Sequence, residues 1–239
     1  MIPKKIHFIW LGGGGRDRLS TLCVNSWRRV LHGYQVVEWN EGDLRLDELA
    51  GRNRFLKRCL ELRLWAFASD CLRLYVLFHE GGIYLDTDVE VVRPFDALLG
   101  NKMFVGLEDN GCIGTGVIGA EKGNPTIGRL LRFYEREIWD VDFINNPIIF
   151  RYLRDREPDA FEGCEVLPRE CFSPYSPELS ADGVIGTSGT YAIHWYSGNW
   201  NVSRKGLVFM RTKHLRGARH PIGVLRADAS YLRNRLIGD

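Results

Sequence analysis

The sequence lacks any apolar run of the ~18–20 residues that a membrane-crossing helix requires. Its longest apolar stretches are cut by His79, Glu80 or Asp86. It also lacks the long apolar core and small-residue cleavage site of a secretory signal: Met1-Ile2-Pro3-Lys4-Lys5 leads into a short apolar stretch that stops at a glycine run. A chain that stays in the cytoplasm is the expectation. Paired cysteines are missing as well, since Cys23, Cys59, Cys71, Cys112, Cys164 and Cys171 stand at irregular intervals with no C-x-x-C. That spacing excludes a thiolate zinc cluster and leaves reduced thiols packed as small apolar groups. There is no internal repeat and no low-complexity segment, which excludes solenoids, collagen-like arrays and coiled coils.

What is present is ordinary for one globular domain: 239 residues, of which 45% are hydrophobic, 26% charged and 12% aromatic. The near-neutral balance, 32 Lys/Arg against 30 Asp/Glu, hides an asymmetry. Residues 201–239 hold nine basic side chains and two acids, leaving 23 basic and 28 acidic in residues 1–200. A basic end suggests an anionic neighbour such as a membrane surface, or simply a solvated face. Nucleic acid is disfavoured, because base-stacking aromatics are not interleaved with these cations.

Alternating strand and helix patterns predict an α/β fold. Lys5–Leu11 reads as a buried strand ended by Gly12–Gly15, which is not a phosphate-binding Walker loop because Arg16-Asp17 follows it. Leu19–Leu31 reads as a helix and Gln35–Trp39 as a second strand. Leu60, Leu64, Phe67, Cys71, Leu74 and Phe78 recur at three- and four-residue steps, predicting one helix from Arg54 to Glu80 that Gly81-Gly82 terminates. Strands follow at Ile83–Leu85 and Val89–Val92, then at Phe104–Leu107 and Gly116–Ala120. Helices are expected at Thr126–Trp139 and Pro147–Arg154, and further strands at Glu165–Leu167 and Tyr191–Trp195.

Asp86-Thr87-Asp88 sits where a hydrophobic strand ends, the place where ligands gather in α/β sheets. If the backbone bends there, both carboxylates can face one hard cation, Mg²⁺ or Mn²⁺, with positions left open for phosphate oxygens. Asp70 and Arg73, three apart on one helical face with Ser69 beside them, form either a structural ion pair or a clamp for sugar and phosphate oxygens. Taken singly, Trp10, His194, Trp195 and Trp200 read as packing residues.

The blocks IPKKIHFIWLGG, ASDCLRLYVLFHEGGIYLDTDVEVVRPFDALL (Ala68–Leu99) and AIHWYSGNW resemble the D-x-D glycosyltransferases of family 32, over residues 2 to about 200. That family includes fungal mannosyltransferases and bacterial capsule or lipopolysaccharide sugar transferases. More distantly, the blocks are similar to the catalytic domain of the large clostridial glucosylating toxins. The resemblance implies a single-domain nucleotide-sugar-binding fold of GT-A type, with a mixed central sheet flanked by helices. Residues 1–200 would form the catalytic domain, and 201–239 a basic extension packed on it or trailing from it. It implies a Mn²⁺- or Mg²⁺-dependent, retaining hexosyltransferase. A UDP-sugar is favoured as donor, with GDP-mannose next, and the acceptor would be a glycan or lipid-linked glycan in surface polysaccharide synthesis. By similarity Ile9 and Trp10 flank the nucleobase, Ser69, Asp70 and Arg73 contact the donor, Tyr84 and Asp86 border ribose and sugar, and Trp200 closes over the diphosphate. Asp70, Arg73, Asp86 and Asp88 form the catalytic set. Asp86, Asp88, His194 and Asn199 form the metal set, with Asn199 standing where a serine is usual. Asn146-Pro147 replaces a threonine-glycine-proline turn, a second departure.

Front-side displacement is the preferred chemistry, with Glu108 or Asp109 the carboxylates nearest to a nucleophile role, although a solvated loop pair describes them better. Two other readings remain. One is a haloacid-dehalogenase-like phosphohydrolase, which Glu90 opposes by occupying the position where that motif carries threonine or valine. The other is a carbohydrate-binding protein of the same fold without turnover.

Overall fold

The computed structural model describes residues 1–43, 45–108, 111–175, 185–198 and 202–237, with side chains through residue 233. Its centre is a mixed six-stranded sheet of β1 (Lys5–Ile9), β2 (Gln35–Trp39), β3 (Gly82–Leu85), β5 (Met103–Leu107), β6 (Ile113–Ala120) and β7 (Cys164–Leu167), in the spatial order β2-β1-β3-β6-β5-β7. β1 runs parallel to both β2 and β3, and β6 is antiparallel to β3 and β5. A separate antiparallel ribbon joins β4 (Val89–Val91) to β8 (Ala192–His194).

Side chains alternate across a strand, so each strand feeds two layers. Ile6, Phe8, Ile83 and Leu85 face a core shared with Trp27 and the β4–β8 ribbon. Ile9, Tyr84, Val105 and Ile118 face the larger core built with the central helices. α1 (Arg18–Val30) begins at Asp17, whose carboxylate accepts from Ser20 N–H at 2.7 Å. It holds the ribbon through Trp27 Nε1 to Val89 O, 2.7 Å, and Val91 N to Ser26 Oγ, 2.9 Å. α5 (Pro125–Glu135) and α6 (Asn146–Arg156) complete the larger layer.

The single helix expected over Arg54–Glu80 is two: α3 (Arg54–Glu61) and α4 (Trp65–Glu80), after a short α2 (Leu46–Arg52). Arg63 takes the left-handed conformation at φ 54°, and Leu64 N turns back to Cys59 O at 2.8 Å. The apolar stripe hid the break, because both helices bury it in the same core. Other boundaries move less. β1 stops at Ile9, β6 starts at Ile113, and α5 ends at Glu135, with a 3₁₀ turn following at Glu137–Trp139.

Gly81 and Gly82 have φ of 65° and 110°, and a Cβ on Gly82 would lie 2.8 Å from Lys5 O. Only glycine lets α4 fold back so tightly onto the β1–β3 pair. Beneath them His7 is buried, accepting from Trp39 Nε1 at 3.0 Å and donating from Nε2 to Gly81 O at 2.8 Å.

The basic end forms α7 (Arg204–Thr212) and α8 (Arg219–Ile237), which pack on each other. Phe209 reaches Phe55 and Trp139, with ring centroids 6.2 and 6.0 Å apart. Lys213 is buried, its ammonium donating to Ile138 O and Val141 O. No helix among the described residues is long and apolar enough to cross a membrane.

Candidate active site

The carboxyl ends of β1 and β3 lie side by side, in the register His7↔Tyr84. At the end of β3 the chain leaves the main sheet: Asp86 N–H donates to Gly116 O at 2.8 Å, and Val89 N–H to Asp86 O at 3.0 Å. This turn places Asp86 and Asp88 on either side of the step into the ribbon. The ribbon register Val89↔His194, with Trp195 N–H donating to Asp88 O at 3.0 Å, then sets His194 against the same corner. Ligand atoms of Asp86, Asp88 and His194 all lie within 4.8 Å of one another. Two carboxylates and an imidazole so close suit a divalent cation such as Mn²⁺ or Mg²⁺. Gly116 is the floor of this corner, since a Cβ there would fall 3.2 Å from both Asp86 Oδ2 and His194 Cε1.

The two aspartates are held differently. Asp88 Oδ2 accepts from both Ser197 N–H, 2.9 Å, and Ser197 Oγ, 3.0 Å, while Oδ1 lies 3.4 Å from His194 Nε2. Burial would raise the Asp88 carboxyl, but His194 and the two Ser197 donors outweigh it and hold it at about 2. Burial disfavours the imidazolium, yet Asp88, Asp86 and Glu108 together raise His194 above its ordinary value. Ser197 is aimed by Tyr196, whose left-handed φ of 49° stores strain of about 1 kcal/mol or more.

Asp86 faces Arg73. Its Oδ1 accepts from Tyr84 OH at 2.9 Å and pairs with Arg73 Nη2 at 3.0 Å, and its Oδ2 lies 3.3 Å from Arg73 Nη1. The same guanidinium pairs with Asp70 at 3.0 Å, donates to Thr115 O at 2.7 Å and lies 4.4 Å from the Tyr84 ring centroid. Burial works against the Arg73 charge, but Asp86, Tyr84 and Asp70 overcome it and keep the group protonated. Asp70 is also buried, and desolvation pushes its carboxyl up to about 6 against the pull of Arg73. Tyr84 is driven well above its usual range, first by burial and then by Asp86, so it acts as a neutral donor.

Asp70, Arg73, Tyr84, Asp86, Asp88 and His194 thus form one connected group. Ser69 contributes a main-chain oxygen 3.4 Å from Arg73 Nε. Ile9 packs into the core with 5% of its surface exposed, while Trp10 is half-buried and donates from Nε1 to Gly14 O at 2.6 Å. Asn199, Trp200 and Asp109 lie outside the described residues. Glu108 is not a solvated loop acid: its side chain is largely buried, with Oε1 3.9 Å from His194 Nδ1.

Sequence reading gave Ser197 no role and marked Asn146 only as part of a departing turn. Asn146 is fully buried at the start of α6 and donates to Asp70 Oδ1 at 3.2 Å. A serine before glycine in the aromatic segment after β8 was the available signal for Ser197. For Asn146 the signal was weak, an asparagine just inside the N-cap Asn145 of α6.

Residues 17–105 match the family described as "Glycosyltransferase sugar-binding region containing DXD motif". The chain is 29% identical over 160 residues to Subversion of eukaryotic traffic protein A of Legionella pneumophila, covering 54% of this chain and 24% of that protein. It is 28% identical over 107 residues to Inositol phosphoceramide mannosyltransferase 1 of Schizosaccharomyces pombe, covering 44% of this chain and 33% of that protein. The chain therefore spans a third or less of the length of these two relatives. Among solved structures, the UDP-bound glycosyltransferase domain of the YGT toxin superposes with a TM-score of 0.55 at 12% identity, covering 95% of this chain and 89% of that one. The PaToxG glycosyltransferase gives a TM-score of 0.52 at 22% identity, covering 66% and 70%. The mixed central sheet flanked by helices is thus a GT-A-type fold. Residues 17–105, which carry Asp70, Arg73, Asp86 and Asp88, are thus similar to the sugar-binding region of the DXD glycosyltransferases.

Proposed function

We propose that this glycosyltransferase moves a hexosyl group, with retention, from a nucleotide-diphospho-sugar to a glycan hydroxyl. The convergence of Asp86, Asp88 and His194 within 4.8 Å, with Arg73 fixed behind Asp86, carries the reading. A UDP-sugar is the first candidate donor, supported by the UDP-bound structural relative, and GDP-mannose is the next, supported by the mannosyltransferase relative.

Asp86, Asp88 and His194 would hold Mn²⁺ or Mg²⁺, which when bound orients a diphosphate and offsets the charge growing on it as the glycosidic bond breaks. Arg73, always protonated and locked by two carboxylates, offsets their charge and fixes Asp70 and Asp86 in place beside the donor. Asp70 and Tyr84 position that guanidinium and line the sugar side. In front-side displacement the acceptor hydroxyl attacks the anomeric carbon as the bond to phosphate breaks. Its proton passes to the departing phosphate oxygen, so no enzyme nucleophile is consumed. Glu108 is the side chain to test against this, by trapping a glycosyl-enzyme intermediate.

Residues 1–200 would form the catalytic part and 201–239 an addition. We place the enzyme in surface polysaccharide synthesis, capsule or lipopolysaccharide, on a lipid-linked glycan at the inner membrane face, which the basic end contacts. Thermal shift and donor-hydrolysis assays with UDP- and GDP-sugars, with and without Mn²⁺, test the assignment. Metal-dependent release of nucleotide diphosphate supports it. Failure of every donor to bind or turn over returns the chain to the non-catalytic reading.

A further inference from the structure

The outer face of α8 carries an unexpected pattern. Ile222, Leu225 and Leu232 are 51%, 70% and 49% exposed, and Ala229 is exposed between them. Steps of three, four and three residues put these four on one helical stripe. Arg219, Arg226 and Arg233, each seven residues from the next and all exposed, form a second row along the edge of that stripe. Asp228 is the acid of this helix, and it lies on the flank, paired to Arg204 at 2.8 and 2.7 Å. The stripe therefore has an apolar strip, a cationic border and no acid.

The charge continues past Asp228, which neighbours both Leu225 and Leu232 on the helix. There a groove of about 1010 Å³ opens between α3, α7 and α8, where Arg54, Lys57, Lys205 and Arg216 outnumber the acids Glu61 and Asp228. Arg54 is braced on Trp139, 4.5 Å from the ring centroid.

From this we infer that α8 lies flat on an anionic lipid bilayer, with Ile222, Leu225 and Leu232 entering the interface and the three arginines meeting lipid phosphates. An exposed apolar row flanked by arginine is the pattern of an interfacial helix, in which apolar burial and attraction to anionic lipid act together. The same face of a second copy suits it less well, since a symmetric pairing would set arginine against arginine. The inference rests on the reading of the basic end as a membrane contact, and names the surface that makes it.

The test is co-sedimentation of the full chain with phosphatidylcholine vesicles, with and without phosphatidylglycerol. It compares wild type, Leu225→Asp, and the triple variant Arg219→Gln/Arg226→Gln/Arg233→Gln. Wild type should bind only the anionic vesicles, and each variant should bind them about tenfold or more weakly. Circular dichroism and turnover of a water-soluble donor should be unchanged in both, since none of these side chains is buried. If wild type binds anionic vesicles but the variants bind equally, the membrane contact stands and α8 is not its surface. If wild type ignores anionic lipid, both fail, and donor turnover reports on glycosyl transfer independently. A dimer in solution that Leu225→Asp dissociates, without vesicle binding, would instead make this face a contact between copies and overturn the proposal.

Discussion

Asn146 at the start of α6 holds Asp70 of α4 by both its ends: the amide nitrogen lies 3.2 Å from the carboxylate Oδ1 and 3.2 Å from the main-chain oxygen. The amide oxygen in turn accepts from Tyr134 OH at 2.7 Å, so the three side chains form one hydrogen-bonded chain. Asn146→Ala should cost about 2–4 kcal/mol in urea unfolding, because a buried hydroxyl and a buried carboxylate each lose a partner. Asn146→Asp should cost more, since it adds a second negative charge beside Asp70. Stability equal to wild type in either variant would refute the linkage.

Arg73 stands between two carboxylates and a carbonyl, so its removal strands charge. Arg73→Ala should destabilise by about 3–5 kcal/mol, and Arg73→Lys by less, because an ammonium cannot reproduce the fork to Asp70, Asp86 and Thr115 O. Adding Asp70→Asn to Arg73→Ala should recover part of the loss, measurable as a rise in urea midpoint.

Asp88→Asn tests the cation corner. The amide keeps the shape and can still accept from Ser197, but it removes the charge next to His194. Mn²⁺ affinity by calorimetry should fall at least about tenfold and donor turnover by about 10²–10³-fold, and the unfolding midpoint at neutral pH should also fall because the carboxylate held down by His194 and Ser197 is lost.

Gly116→Ala approaches the same corner sterically. The new methyl would sit 3.2 Å from Asp86 Oδ2 and His194 Cε1, so one of them must move by a few tenths of an ångström. Weaker Mn²⁺ binding with intact secondary structure is expected. An unchanged affinity would show that Gly116 does not bound the ion's position.

His7 gives a pH dependence away from the site. Burial, the largest cause, lowers its pKa, and its ring accepts from Trp39 at Nδ1 and donates to Gly81 from Nε2. The unfolded chain then takes up a proton near pH 6.5 that the folded chain resists, so stability should fall as pH drops below about 6.5. His7→Gln should be less stable at pH 7.5 yet lose less between pH 7.5 and 5.5, as read by thermal unfolding at each pH.

The sequence showed the strands around the site well. β3 ends where the Ile83–Leu85 pattern ends, and the glycine pair that stops α4 was visible because glycine has a specific backbone use there. Asp86 and Asp88 were legible for the same reason, being polar residues at the end of an apolar strand. The break at Arg63 was not, since Leu60, Leu64 and Phe67 keep helical spacing through it. Asn146, Glu108 and Ser197 join the site only through tertiary contact. Asn146 meets Asp70 across 76 positions, and no local periodicity encodes such a meeting.

The ribbon that pairs Val89 with His194 also has a consequence for biosynthesis. Ser197 and Asp88 are 109 positions apart, so all seven earlier strands, including the whole central sheet, leave the ribosome before His194 does. The catalytic corner is thus assembled late, by docking one short strand onto a finished scaffold. A bound cation would latch that strand, and protease sensitivity of the segment leading into β8 should report whether the latch is closed.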